Sequence, residues 1–276
     1  MELSAWINGR RSARIDYRDR GLQYGDGVFE TMRVHRGRVR LLEYHLERLD
    51  RGCRQLKIAG PPLPGLRREL ARAAARRSEG VLKLIVTRGT SSHRGYRPTG
   101  RERCTRILTL HALPKAVLAD GPTPARVRLC ATLLGLNPRL AGLKTLNRLE
   151  SVLARAEWSG ARIWEGLMRD MDENIVCGTM SNLFLRRGSL LMTPLLDRCG
   201  VAGVMRRWIL ETAGDLGLNP VERRIRWRDL SEAEEVFMSN AVVGLRSVGV
   251  IERGRERLRL SAFETASRLR QRLDAL

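Results

Sequence analysis

Apolar positions recur along this chain in two spacings. From Leu42 they fall at Leu46, Leu49, Cys53 and Leu56, alternating steps of four and three, which predicts an amphipathic helix. Leu66 to Arg77 predicts a second, alanine-rich helix ending near Gly80. Leu146, Leu149, Val152, Leu153 and Ala156 have helical spacing too, as does Arg206 to Ala213. A C-terminal helix packs through Phe263, Leu269 and Leu273. Ser231 with Glu234, and Ser261 with Glu264, have the spacing of capping boxes. Short apolar runs at Val28 to Val34, Val81 to Val86, Thr105 to Leu110, Val127 to Leu133, Ile163 to Met168, Asn182 to Leu185 and Ser189 to Thr193 predict strands. Ala5-Trp6-Ile7 followed by Asn8-Gly9 predicts a hairpin, because Asn-Gly suits a type I′ turn. Strands interleaved with helices give an α/β chain of the α+β type. Pro114 to Pro124 holds three prolines and a glycine without periodicity. It predicts an interdomain linker at 114–124, between an N-terminal domain at 1–113 and a C-terminal domain at 125–276.

With 276 residues and 43% apolar content, a sizeable core is available. The formal net charge of +21 raises the question of nucleic acid. The arginines are spread through every segment, with no basic block or tail, so an arginine-biased surface is the preferred reading and no specific nucleic acid is expected. The field should still attract small anionic substrates. Five widely spaced cysteines without a Cys-x-x-Cys or Cys/His cluster support neither a disulfide framework nor a metal site. No stretch approaches a membrane span and the N-terminus lacks a signal pattern, so a soluble, cytoplasmic protein is expected.

Positive charge rests almost wholly on arginine. The only lysines are Lys57, Lys83, Lys115 and Lys144. Arginine keeps its proton, whereas a lysine can be tuned into a nucleophile, so Lys144, between Leu143 and Leu146 where a loop enters a helix, is a candidate. The alternative is a half-buried lysine whose stem packs while its head reaches solvent. His45 and Arg48 share a helix flank and could face a ligand together, or Arg48 could be solvated. Tyr24-Gly25-Asp26-Gly27 marks a sharp bend before a strand. Arg88 to Tyr96 offers guanidinium, hydroxyl and imidazole groups after another strand, a place for an anion. The glycines of Cys199 to Met205 precede a helix, where free N–H groups suit phosphate, or where glycine only packs tightly.

Taken together, Tyr24-Gly25-Asp26-Gly27-Val28-Phe29-Glu30, His45-Leu46-Glu47-Arg48-Leu49, Leu143-Lys144-Thr145-Leu146-Asn147, Ser181-Asn182-Leu183-Phe184 and Gly203-Val204-Met205-Arg206 resemble the fold-type IV pyridoxal-phosphate enzymes, in order and over nearly the whole chain. That family includes branched-chain and D-amino-acid aminotransferases and aminodeoxychorismate lyases. The resemblance implies a two-domain fold with pyridoxal 5′-phosphate in the cleft between the domains, and a homodimer. It implies that Lys144, on the C-terminal domain, is the Schiff-base lysine. Arg48 would hold the cofactor phosphate, with Gly203, Val204, Met205, Ser239, Asn240 and Ala241 completing the cradle. Asn137 to Glu150, and Arg88-Gly89-Thr90 continuing to Arg94-Gly95-Tyr96, are similar to the lyase members. Those convert 4-amino-4-deoxychorismate to 4-aminobenzoate and pyruvate in folate synthesis. Lys144 would then move the protons, and Phe29, Arg94 and Tyr96 are candidates for substrate contact. One departure stands out. Where the family places a glutamate facing the pyridine nitrogen, counting back from Asn182 gives Cys177; Glu173 or Asp172 would serve if the register differs. The rival readings are an aminotransferase on the same cofactor, a basic nucleic-acid-binding protein, and a cofactor-free scaffold.

Overall fold

The computed structural model describes residues 2–114 and 123–276. Most of the expected linker at 114–124 therefore lies outside the described residues. Contacts divide the chain into two units, and Leu143–Asn147 groups with the first rather than with the sequence around it.

The first unit opens with the hairpin. β1 (Glu2–Ile7) pairs with β2 (Arg10–Arg11), and Asn8 and Gly9 both hold positive φ, 52° and 82°, as a type I′ turn requires. A short helix, α1 (Arg20–Tyr24), follows, then β3 (Gly27–His35) and β4 (Arg38–Val39). α2 (Leu42–Gln55) and α3 (Leu63–Ala74) lead to β5 (Glu79–Thr87) and β6 (Thr105–His111). α3 starts three residues before the expected Leu66, with Pro62 as its N-cap residue and Pro64 in its first turn, where the missing N–H costs nothing. The six strands form one antiparallel sheet in the order β2-β1-β6-β5-β3-β4. Alternation along β3 buries Val28, Glu30, Met32 and Val34 on one face. That face packs with Leu46, Leu49, Leu66 and Leu70 of the helices, each leucine contributing about 1.5–3 kcal/mol of burial.

The lysine segment joins this unit through main-chain bonds to the start of β3. Phe29 N–H donates to the Lys144 carbonyl and Leu146 N–H to the Gly27 carbonyl, each at 3.0 Å. Sequence order assigns Lys144 to the C-terminal half; strand pairing attaches it to the first unit.

The second unit contains β7 (Ala125–Leu134), α4 (Leu149–Arg155), β8 (Glu165–Asp170), β9 (Ile175–Gly178), β10 (Asn182–Arg187) and β11 (Leu190–Pro194). α5 (Val204–Thr212), β12 (Asn219–Arg223), α6 (Trp227–Ser231), β13 (Glu235–Asn240), β14 (Gly244–Arg253), β15 (Glu256–Arg259) and α7 (Glu264–Asp274) complete it. Its mixed sheet runs β12-β11-β10-β13-β14-β7-β8-β9, with β15 beside β14. Leu183, Leu185, Val236, Met238, Val248 and Ile251 fill its core.

Both expected capping boxes are absent. Ser231 ends α6, its hydroxyl donating back to the Arg228 carbonyl at 2.8 Å. α7 begins at Glu264 and is capped from outside: the fully buried Glu235 carboxylate accepts from Thr265 N and Ala266 N, both at 2.9 Å. A local spacing cannot reveal a cap supplied from another strand.

Candidate active site

The alternation of β3 distributes chemistry to its two faces. Glu30 points to the helix face and is 2% exposed. Its Oε1 accepts from Arg48 Nε at 2.8 Å, and its Oε2 accepts from Arg48 Nη2 at 2.5 Å and lies 2.5 Å from His45 Nδ1. The shared spacing of His45 and Arg48 on α2 is thus explained by one carboxylate, and Arg48, 8% exposed, is not a solvated side chain. Burial would raise the Glu30 carboxyl, but the Arg48 charge and the hydrogen bonds from His45 and Arg48 prevail and hold it down at about 2. Burial dominates at His45 and keeps its imidazole below its usual range, hence neutral. With Nδ1–H given to Glu30, the buried Nε2 has no partner.

Phe29 faces the other way. The Lys144 ammonium lies 4.2 Å from the centre of the Phe29 ring, and the Lys83 ammonium 5.5 Å from it. Lys83 had no role in the sequence reading; lysine scarcity was the available signal. The bend before β3 is tight because Gly25 (φ 65°) lies under Asn147, whose Oδ1 would stand 2.4 Å from an added Cβ. Asn147 Nδ2 in turn donates to the Gly25 carbonyl at 3.2 Å, so the Gly-Asp-Gly bend and the lysine segment are built as one piece. Arg94 and Tyr96 lie on the exposed stretch after β5, Tyr96 being 84% exposed.

In the second unit, Asn182 joins two motifs that lie apart in the sequence, Ser181–Phe184 and Gly203–Arg206. Its Oδ1 accepts from Gly203 N–H at 3.1 Å, and its Nδ2 donates to the Val201 carbonyl at 2.8 Å. A Cβ on Gly203 would fall 2.0 Å from that Oδ1, so glycine is required by close approach. Gly203 is the N-cap residue of α5 and offers no side-chain cap to Val204 and Met205. Across from Asn182 on β13 lies Ser239, 1% exposed, whose hydroxyl has no partner. Asn240 Oδ1 accepts from Val242 N and Val243 N at 3.0 and 2.8 Å, shaping the turn that holds Ala241. An uncapped helix start and an orphaned buried hydroxyl fit a phosphate dianion.

Cys177 is the third residue of β9 and is buried. Burial first, then neighbouring Cys199 and Glu165, pushes its thiol up to about 12 against the opposing pull of Arg148, so it is neutral. Asp172 and Glu173 occupy the exposed turn between β8 and β9, where Asp172 pairs with Arg198 and Glu173 with Arg169. The nearby Glu165, also missed from the sequence, is fully buried and accepts from Gly166 N, Thr179 N, Thr179 Oγ1, Met180 N and Ser181 Oγ. It shapes the turn that delivers Asn182.

Residues 27–251 match the amino-transferase class IV family. The chain belongs to that family. Among class IV proteins, it is 34% identical over 249 residues to an aminodeoxychorismate lyase of Vibrio harveyi, covering 89% of this chain and 90% of the relative. The solved structure of a Pseudomonas aeruginosa 4-amino-4-deoxychorismate lyase superposes with a TM-score of 0.90 at 43% identity, over 98% of each chain. The Escherichia coli branched-chain aminotransferase, at 20% identity, shares the fold with a TM-score of 0.84 over 100% of this chain and 95% of its own. The class IV fold, of fold-type IV, is therefore the one expected from the ordered motifs. Among the described residues, no helix is long and apolar enough to cross a membrane.

Proposed function

We propose that this chain is a pyridoxal-phosphate-dependent 4-amino-4-deoxychorismate lyase that forms 4-aminobenzoate and pyruvate in folate synthesis. Similarity to two lyases, at 34% identity over 89% of the chain and 43% over 98%, carries the reading. The chemistry at Lys144 agrees with it.

Bound pyridoxal phosphate supplies an electron sink for the carbon being deprotonated. The residues divide the remaining work. Lys144 Nζ would hold the cofactor's carbonyl carbon in the resting enzyme. As a free amine, Nζ would take the proton from the substrate carbon bearing nitrogen and return one to the departing enolpyruvyl group, whose C–O bond breaks as the ring becomes aromatic. Arg48, its plane fixed by Glu30, and the Val204 and Met205 amides with Gly203, Ser239, Asn240 and Ala241 are assigned to the phosphate. Cys177, a neutral thiol, provides no charge to keep a pyridine nitrogen protonated, and aromatisation offsets the weaker sink. Phe29 lies against Lys144, and Lys83, which approaches the same ring, is assigned with Arg94 and Tyr96 to the substrate carboxylates.

The substrate is small and anionic, in keeping with the positive field. Ion pairs such as Arg67–Glu43, Arg224–Asp197 and Arg272–Asp215 disperse that charge within each unit, which argues against a nucleic-acid surface. α4 leaves Leu149, Val152 and Leu153 at 77%, 61% and 62% exposure, an apolar face suited to a homodimer contact. All five cysteines are free thiols, as a reducing cytoplasm would keep them.

The test is product analysis after supplying 4-amino-4-deoxychorismate, with Lys144→Ala as control. Equal 4-aminobenzoate and pyruvate, lost in the variant, is the expected result. Conversion of the cofactor to its amine form by an amino acid, with neither product, would replace the lyase by an aminotransferase.

A further inference from the structure

Arg20 is 3% exposed and takes no part in the chemistry assigned above. Its guanidinium nonetheless makes a full set of directed contacts. Nε donates to Asp26 Oδ2 at 2.9 Å, Nη1 to the Gly95 carbonyl at 3.0 Å, and Nη2 to the Tyr96 carbonyl at 2.7 Å. The Tyr24 ring lies against it, 4.8 Å from its carbon to the ring centre, and meets the Tyr96 ring edge-on at 5.4 Å. Its own N–H donates to the Gly89 carbonyl at 2.9 Å. One buried side chain therefore ties the bend before β3 to the middle of the stretch that follows β5.

That stretch needs such a tie. Residues 92–101 are exposed and form neither helix nor strand. Their other polar contacts are local: Ser92 with His93, and Glu102 with Thr99 and Gly100. Asp26 is gripped independently by Arg88, through Nε at 2.7 Å and Nη2 at 2.9 Å, so the acceptor anchoring Arg20 is itself rigid. The guanidinium meets these three acceptors from three separate nitrogens; an ammonium carries its donors on one nitrogen and does not span them.

We propose that Arg20 is a positioning residue of the substrate site, holding the Gly95 and Tyr96 carbonyls so that Arg94 is presented in one place to the substrate carboxylate. This rests on the lyase reading and on the assignment of Arg94 within it. Since binding orients Arg94 and chemistry belongs to Lys144, loss of the anchor falls on KM and spares kcat.

The experiment pairs two readouts on Arg20→Lys, which keeps a cation beside Asp26 but removes the fork. We expect KM for 4-amino-4-deoxychorismate to rise about 10-fold with kcat within about 2-fold. Tryptic cleavage after Arg94, which Gly95 follows, should accelerate several-fold in the folded protein. Tyr24→Leu, which removes the ring from the guanidinium without touching the hydrogen bonds, should shift both in the same direction by less, and serves if Arg20→Lys does not fold. Unchanged cleavage, or faster cleavage with unchanged KM, overturns the proposal. If the unaltered protein makes no 4-aminobenzoate, the lyase reading fails, and the tryptic rate alone then decides whether Arg20 anchors this stretch.

Discussion

Phe29 donates its backbone N–H to the carbonyl of Lys144 at 3.0 Å while its ring lies 4.2 Å from the same lysine's ammonium. One residue thus holds Lys144 by main chain and by side chain. Lys144→Ala should lower lyase turnover by about 10³-fold or more, since both proton transfers depend on it. Phe29→Ala keeps the main-chain bond and loses the ring; turnover should fall by about 10-fold, with the circular dichroism spectrum unchanged. Steady-state kinetics on both variants is the check.

Glu30 and His45 give stability a defined acid limb. The Glu30 carboxyl sits at about 2 instead of 4.5, so its contribution is complete above pH 4.5 and lost as pH falls toward 2. His45 is held below 6.5, so protonation of the unfolded chain begins to erode stability as pH drops through 6.5. Urea midpoints should be flat from pH 7 to about 8, decline below 6.5 and fall steeply below 4.5, and decline again above 9 as the thiols of the unfolded chain ionise. Glu30→Gln leaves buried Arg48 without its counter-ion; it should cost about 3–5 kcal/mol and flatten the steep limb.

Ser239 carries a buried hydroxyl with no protein partner. In Ser239→Ala the cofactor-free protein should be as stable as before or slightly more so. Pyridoxal phosphate affinity, read by fluorescence titration, should weaken by about 10-fold or more, the loss of a hydrogen bond to a charged acceptor. Equal affinity would remove Ser239 from the phosphate site.

Cys177→Glu would place a carboxylate beside Arg148, whose guanidinium burial already holds below its ordinary value. A charged partner at this position strengthens the electron sink, and transamination should rise several-fold relative to elimination. An unchanged ratio of amino-acid-derived to aromatic product would show that the thiol does not tune the reaction.

Val152→Asp with Leu153→Asp puts two charges on the exposed face of α4. Light scattering coupled to gel filtration should show a dimer converting to monomer. A monomeric parent protein would end the homodimer reading.

Periodicity and turn chemistry are local, and they carried far in this chain. The steps between Leu42 and Leu56 specify α2 because residues three and four apart share a helix face, and Asn8-Gly9 specifies its turn because both positions accept positive φ. Lysine scarcity and the ordered motifs singled out Lys144 for the same reason: each is a short string. Other features depend on partners far apart in sequence. Glu30 became the partner of His45 and Arg48 only when β3 packed on α2, and Asn182 became the latch on Gly203 only when β10 met the start of α5. Leu149, Val152 and Leu153 have core spacing yet stay exposed, because the sheet beside α4 buries only Ala154 of that helix. A buried carboxylate must take its hydrogen bonds wherever the fold brings donors, and those donors carry no fixed spacing in the chain. Tertiary packing alone therefore chose the partners of Glu30, Glu165 and Glu235, and with them the shape of the site.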